Sequence, residues 1–470
     1  MRPVLSQDKN PMLSVLSHFK PSVLKSLLVM SVPMIISQGA FALMIFTDRW
    51  FLAQLSAAHM AAAMGGGVAW YFSFSLFSGI LAYANALVAQ YLGAKELHKC
   101  SKVITQGIMM SIACIPLLIG IGLLMRNIFA FMGHSPEQVV LEQTYFDILI
   151  FASFVMLIKT VLSSFFSGIG RTRVVMVCEV LGIVFNIPIA FVLIFGKLGF
   201  PPLGMAGAAW ATVLSTVLTI VVYLLVYLSH SNRVRFSVGK SLVFDKGISK
   251  RYVRLGFPSG LEMFLNVAAF NMFLLMFHSY GITEAASATI VFNWDILSFV
   301  PLLGLNIAVM SLIGRAVGAN DMSTTNEVTA AGYVLGLGYS LILAACFLGF
   351  RHNLVDLFIF DESGANGIRM LAGFMMVGLS CYVLCEGVLQ VAAGVLRGAG
   401  DTHWCMWASV SLHWGMLVSQ YLIIRVFLLG PQVSWIAFVV MIFMIVVVFL
   451  WRLQGNRWRD PDRLKAVMAE

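Results

Sequence analysis

Six carboxylic acids, Asp48, Asp147, Glu179, Glu262, Asp295 and Glu386, lie in stretches of sequence that are otherwise apolar. A charged group at the centre of a bilayer costs at least about 2.5 kcal/mol on insertion scales, so an acid kept there points to the handling of ions or cationic molecules. Several have polar company at helical spacing. Tyr382, Glu386 and Gln390 recur at i, i+4 and i+8, a polar stripe on one side of a helix. Glu179 and Asn186 are seven residues apart, also on one face, and Glu262 precedes Asn266 by one turn. Asp48 follows Ser37, Phe41 and Met44 on a common face. Asp295, in FNWDILSF, reads either as a cavity acid or as a partner of a neighbouring helix, and Asp147 as the solvated end of its span. A purely structural hydrogen bond between membrane helices is worth about 0.6 kcal/mol on average, too little to recover the cost of a charge. Lys159, also within a span, is explained equally by snorkelling to the surface and by contact with a substrate or an acid.

Other chemistries find no support. There is no HExxH, and His18, His59, His98, His134, His230, His278, His352, His403 and His413 are scattered, so neither a metalloprotease nor another membrane enzyme is expected. The turns SGIGRTR (167–173) and LRGAGDT (396–402) lack the glycine spacing and the Lys-Ser/Thr of a nucleotide loop and read as tight helix reversals. Without an ATPase engine, energy comes from an ion gradient, or the molecule is a passive conductor or scramblase. The seven cysteines lie in or beside apolar stretches and read as small packing residues, Cys381 and Cys385 included. No cofactor is expected beyond a coupling ion.

The elements that must position these acids follow from composition. Of the 470 residues, 60% are hydrophobic and 11% charged, with a mean hydropathy of +0.91; the chain is an integral membrane protein. Twelve apolar stretches, from 24–46 to 433–452, each reach the roughly 20 residues of a membrane helix. The second, eighth and tenth are long enough to tilt, bend or protrude. When the 30 lysines and arginines are assigned to alternate loops, 23 fall on one side, which the positive-inside rule makes the cytoplasm; both termini lie there. The basic balance therefore reports topology and contact with anionic lipid, not nucleic acid. The first twenty residues show no cleavable signal peptide.

The chain also repeats itself. Residues 79–107 lie over 304–332 at a constant offset of 225, pairing Gly79 with Gly304, Gly93 with Gly318 and Gly107 with Gly332; the same offset pairs Pro33 with Pro258. At an offset of 230, Gly168, Gly170 and Thr172 meet Gly398, Gly400 and Thr402. Two copies of one membrane unit suit a secondary transporter, which opens a site to either side by rocking one copy against the other. The expected architecture is all-α: twelve transmembrane helices in two six-helix lobes related by a pseudo-two-fold axis along the membrane normal, with a central cavity between them. The boundaries are a cytoplasmic segment at 1–23, an N-lobe at 24–228, a linker at 229–253, a C-lobe at 254–452 and a cytoplasmic tail at 453–470. Trp70, Tyr71, Phe72, Phe292, Trp294 and Phe299 are candidates to line a cavity for flat cations, although packing against lipid is the commoner role.

A series of motifs in chain order completes the reading: a proline in the first span followed by TDRWFLAQL, then ALVAQYLGA, GIGRTR, NIPIAFVLIFG, GMAGAAWAT and GVLRGAGDT. Together they resemble the multidrug and toxic compound extrusion (MATE) family over nearly the whole chain, in its bacterial NorM-like and DinF-like branches. The resemblance implies efflux of organic, often cationic and aromatic, compounds in exchange for sodium ions or protons by alternating access in the bacterial inner membrane, with the chain working as a monomer among membrane lipids. It implies that Asp48 is the first-span coupling acid and that Asn186 is the asparagine of an N-lobe ion site, to which Glu179 and Thr212 add oxygen ligands. It implies a C-lobe site at Tyr382 and Glu386, so that sodium would sit at Asp48 and Asn186 or at Tyr382 and Glu386; Asp295, on its own sequence setting, is a further C-lobe candidate. In the seventh span Asn266 occupies the position of the sodium-coupled branch's glutamate, while Glu262 lies one turn earlier. Either the carboxylate has moved or that site is lost. The alternative function is a flippase for a lipid-linked oligosaccharide or similar amphiphile, which calls for a more cationic cavity.

Overall fold

A computed structural model describes residues 17–131, 135–359 and 365–470. Residues 1–16 of the expected N-terminal segment, and His134, lie outside them. The described residues are helical throughout their long elements. In chain order these are α1 (Pro21–Ala53), α2 (Ala58–Gly93), α3 (Leu97–Phe131), α4 (Pro136–Phe151 and Ser153–Gly168), α5 (Thr172–Phe195), α6 (Gly204–Tyr227), α7 (Lys246–His278), α8 (Ile282–Gly318), α9 (Met322–Asp356) and α10 (Asn366–Gly398). They close with α11 (Thr402–Tyr421) and α12 (Pro431–Gln454). Ten are long and apolar enough to cross a membrane singly, and α4 does so as a pair bent by 48°. The remaining one, α11, carries two histidines and three tryptophans and ends in a π turn at Leu422–Val426.

More helices are long than the sequence suggests. Besides α2, α8 and α10, α1, α3, α7 and α9 run for 33 to 35 residues, about 50 Å against a hydrocarbon layer of about 30 Å. The apolar stretch expected from residue 254 begins as helix at Lys246, because Lys250, Arg251 and Arg254 suit the helix although they do not suit the hydrocarbon.

The internal repeat survives as backbone geometry. Lys95 and Asn320, paired by the 225-residue offset, both take the left-handed conformation (φ 62° and 55°). The next residue in each turn closes the same bond, Glu96 N–H to Tyr91 O and Asp321 N–H to Ala316 O, both 2.9 Å. At the 230 offset, Gly170 and Gly400 share φ 79°, and Arg171 and Asp401 reach back to Phe166 O and Leu396 O at 2.8 Å. A side chain would strain either glycine. The copies differ in capping: Asp321 accepts from Thr324 N–H at 3.1 Å and from its hydroxyl at 2.6 Å, whereas Glu96 makes no side-chain cap. Those bonds hold the Asp321 carboxyl down at about 2.

The chain forms two compact units. One comprises Pro33–Ala268 and Ala469–Glu470; the other comprises the described residues up to Val32 together with Ala269–Met468. The chain passes between them inside α1 and inside α7, the two helices that carry the paired prolines Pro33 and Pro258.

Candidate functional site

In the unit Pro33–Ala268, α1, α5 and α6 meet around small residues. Ala190, Ala208 and Ala211 are buried with Phe51 and Leu193, and a Cβ on Gly207 would come within 2.7 Å of the Leu193 backbone. This close approach carries Asp48, Asn186 and Thr212 into one buried group. The Thr212 hydroxyl donates to Asp48 Oδ2 at 2.9 Å. Asn186 stands beside the same carboxylate without the geometry of a hydrogen bond. Its two amide heavy atoms and Asp48 Oδ1 are buried and have no hydrogen-bond partner among the described residues. Carboxylate, amide and hydroxyl oxygens together suit a hard monovalent cation.

Glu179 does not join that group. Its Oε2 accepts from Lys159 Nζ of α4 at 2.9 Å, and its Oε1 from the Tyr223 hydroxyl of α6 at 3.1 Å. The seven-residue spacing from Asn186 does put both on one face of α5, but two turns separate them by about 10 Å along the axis, too far to share one ion. Lys159, for which two explanations stood level in the sequence, contacts an acid.

In the other unit, α8, α9 and α10 pack closely enough that a Cβ on Gly336 would meet Gly387 O at 2.8 Å. Within this three-helix packing, Asp295 of α8 and Glu386 of α10 lie within electrostatic reach of each other, and Tyr382 borders both. Tyr382 is fixed by rings: Phe438 at 5.8 Å and Trp435 at 6.1 Å between centroids, a packing worth about 0.5–1.5 kcal/mol per pair beyond burial. Asp295 Oδ1, Glu386 Oε2 and the nearby Ser340 Oγ of α9 are buried with no hydrogen-bond partner among the described residues. Among the described residues neither acid forms an ion pair. Two carboxylates with no basic partner in an apolar setting are stable when a cation is held with them.

Glu262 and Asn266, the C-lobe candidates of α7, belong to the compact unit Pro33–Ala268. There α7 lies against α2: Phe264 meets Phe72 at 4.6 Å between centroids, and a Cβ on Gly79 would reach Gly260 Cα at 2.7 Å. Asp147 sits at a half-exposed end, 3.3 Å from Arg126. Of the aromatic candidates, Phe292 is core, Trp70 donates to Ser153 Oγ at 2.9 Å, and Trp294 lines an apolar cavity of about 260 Å³ with Tyr339, Phe347 and Phe350. Ser340 and Tyr223 carried no signal in the sequence, since single hydroxyls in apolar helices are common.

Comparison with known proteins agrees over nearly the full length. The MatE family model matches residues 33–192 and 258–421. The chain is 27% identical to Probable multidrug resistance protein NorM of Shewanella oneidensis over 403 residues, 84% of this chain and 85% of that protein. It is 26% identical to the protein of the same name in Pasteurella multocida over 451 residues, 94% and 95% of the two chains. Among solved structures, a MOP superfamily transporter from Pyrococcus furiosus superposes with a TM-score of 0.83 at 22% identity, covering 95% of this chain and 97% of that one. A multidrug resistance MATE family transporter in an outward-facing conformation superposes equally well, at 21% identity and the same coverage. The fold is that of these transporters.

Proposed function

Because the chain belongs to the MatE family, we propose that it is a secondary multidrug efflux transporter, exchanging organic, often cationic and aromatic, compounds for sodium ions or protons by alternating access. The observation that carries this reading is the acid pair Asp295 and Glu386, which has no basic partner among the described residues. Such a pair holds one cation at a time, an incoming ion or an outgoing organic cation. Competition for it is sufficient to couple the two flows. In the unit Pro33–Ala268, Asp48 with Asn186 and Thr212 is the proposed ion site, and Glu262 and Asn266 of α7 are further candidates for the C-lobe function. Acids at both places oppose a flippase for a pyrophosphate-linked lipid, which needs buried bases.

The remaining assignments rest on the same premise. The protein sits in the bacterial inner membrane with both termini in the cytoplasm, functions as a monomer without enzymatic activity, cofactor or nucleic acid, and contacts anionic lipid. The six-helix lobes 24–228 and 254–452 are the repeating halves. The test is ethidium transport in proteoliposomes with pH and sodium gradients imposed separately. One gradient should drive efflux, and Glu386→Gln, inserted at wild-type level, should abolish it. Undiminished transport by Glu386→Gln would remove the acid pair from the mechanism.

A further inference from the structure

Within the unit Pro33–Ala268, four helices surround one nitrogen. The Lys159 ammonium lies 2.9 Å from Glu179, the two side chains being only 17% and 13% exposed. It also stands 5.4 Å from the centre of the Phe41 ring of α1, and Tyr223 donates to the second oxygen of Glu179 at 3.1 Å. A carboxylate, a ring face and a hydroxyl are the groups by which a protein holds a monovalent organic or inorganic cation. Here the cation is part of the chain. The cavity beside it, bordered by Met44, Gly182, Thr216 and Thr219, measures about 10 Å³, room for no more than a water molecule.

We propose that Lys159 is a tethered counter-cation that keeps Glu179 out of the exchange cycle and so sets how many monovalent cations this unit takes up per substrate expelled. The inference rests on the exchange reading above. A carboxylate so withdrawn from water does not persist alone; it is paired or it takes up a cation. Lys159 meets that need permanently, and the neutral pair carries no charge through a cycle. Asp48, by contrast, accepts from the neutral Thr212 hydroxyl, with the neutral Asn186 amide beside it, and is left to exchange. With the ammonium removed, Glu179 becomes a second exchangeable acid that takes a proton, a sodium ion or a small alkylammonium.

The test compares wild type, Lys159→Met, Lys159→Arg and the double variant Lys159→Met with Glu179→Gln, all reconstituted. In sodium-free buffer at neutral pH, infrared spectroscopy of Lys159→Met should show an additional protonated-carboxyl stretch that is missing from the other three. In voltage-clamped proteoliposomes the charge moved per ethidium should rise by about one elementary charge in Lys159→Met and return to the wild-type value in the double variant. Absence of the new carboxyl stretch, or an unchanged charge per ethidium, overturns the proposal. Failure of the wild type to couple ethidium to either gradient would instead sink the exchange reading. Should Lys159→Met not insert, Lys159→Gln, which keeps a hydrogen-bond donor for Glu179, carries the same two measurements.

Discussion

In the unit Pro33–Ala268 the acids of α1 and α5 have separate partners, Asp48 on a threonine and beside an asparagine, Glu179 on a lysine. In the unit that holds α8 to α10, Asp295 and Glu386 share one environment with Tyr382 and, among the described residues, pair with no lysine or arginine. The difference lies in what closes the electrostatic balance. A built-in ammonium gives a fixed, mute pair, whereas two unaccompanied carboxylates need a visitor. The repeat has thus preserved the turns of the two copies while letting the acids diverge, because a turn depends on backbone conformation and a site on which side chains meet.

The sharpest way to break this contrast is to treat Asp295 and Glu386 as separate sites. Asp295→Asn and Glu386→Gln should each lower ethidium transport roughly 100-fold, about 3 kcal/mol, and the double variant should be little worse, since residues acting as a unit are not additive. Multiplying losses would dissolve the pair. A smaller effect is expected at Asp48, the exchanging acid of the other unit. Asp48→Asn and Asn186→Ala should each cost roughly tenfold in ion-driven exchange, again without adding, and Thr212→Val about 1 kcal/mol, read as a higher ion concentration for half-maximal rate. Equal losses in both units would erase the distinction.

The smallest test concerns the turns that the copies share. Asp321→Ala should lower thermal stability by about 1 kcal/mol through loss of the cap on α9, with transport unchanged, while Glu96→Ala should change stability little. Because the folded Asp321 carboxyl titrates near 2, below its unfolded value of about 3.9, the contribution is full above that unfolded value and is lost as pH falls through about 2. A cap effect that appears only at alkaline pH would contradict the assignment.

How much of this was legible in the sequence depends on distance along the chain. The stripe Tyr382–Glu386–Gln390 and the paired glycine turns are local patterns, so periodicity and offset were enough to find them. The Lys159–Glu179 pair joins α4 to α5, and only the packing angle of two helices decides whether snorkelling or pairing wins. Glu179 and Asn186 were grouped because a helical face is readable, but position along the axis matters as much as face. Glu262 and Asn266 were grouped with the later acids through the resemblance to the sodium-coupled branch, and no sequence signal marks that α7 changes compact unit only after both, at Ala268.

That crossing inside α7, with its counterpart inside α1, bears on manufacture. Cutting the chain in the hydrophilic stretch near residue 240 would yield two fragments, each with the six helices of one repeat. Neither fragment would be a complete compact unit: the first would lack residues 241–268 and 469–470, which belong with it, and the second would lack the described residues up to Val32. Each half therefore finishes building only when the other is present, as with partners that trade a segment. Made separately the fragments should aggregate; made together in one membrane they should complement.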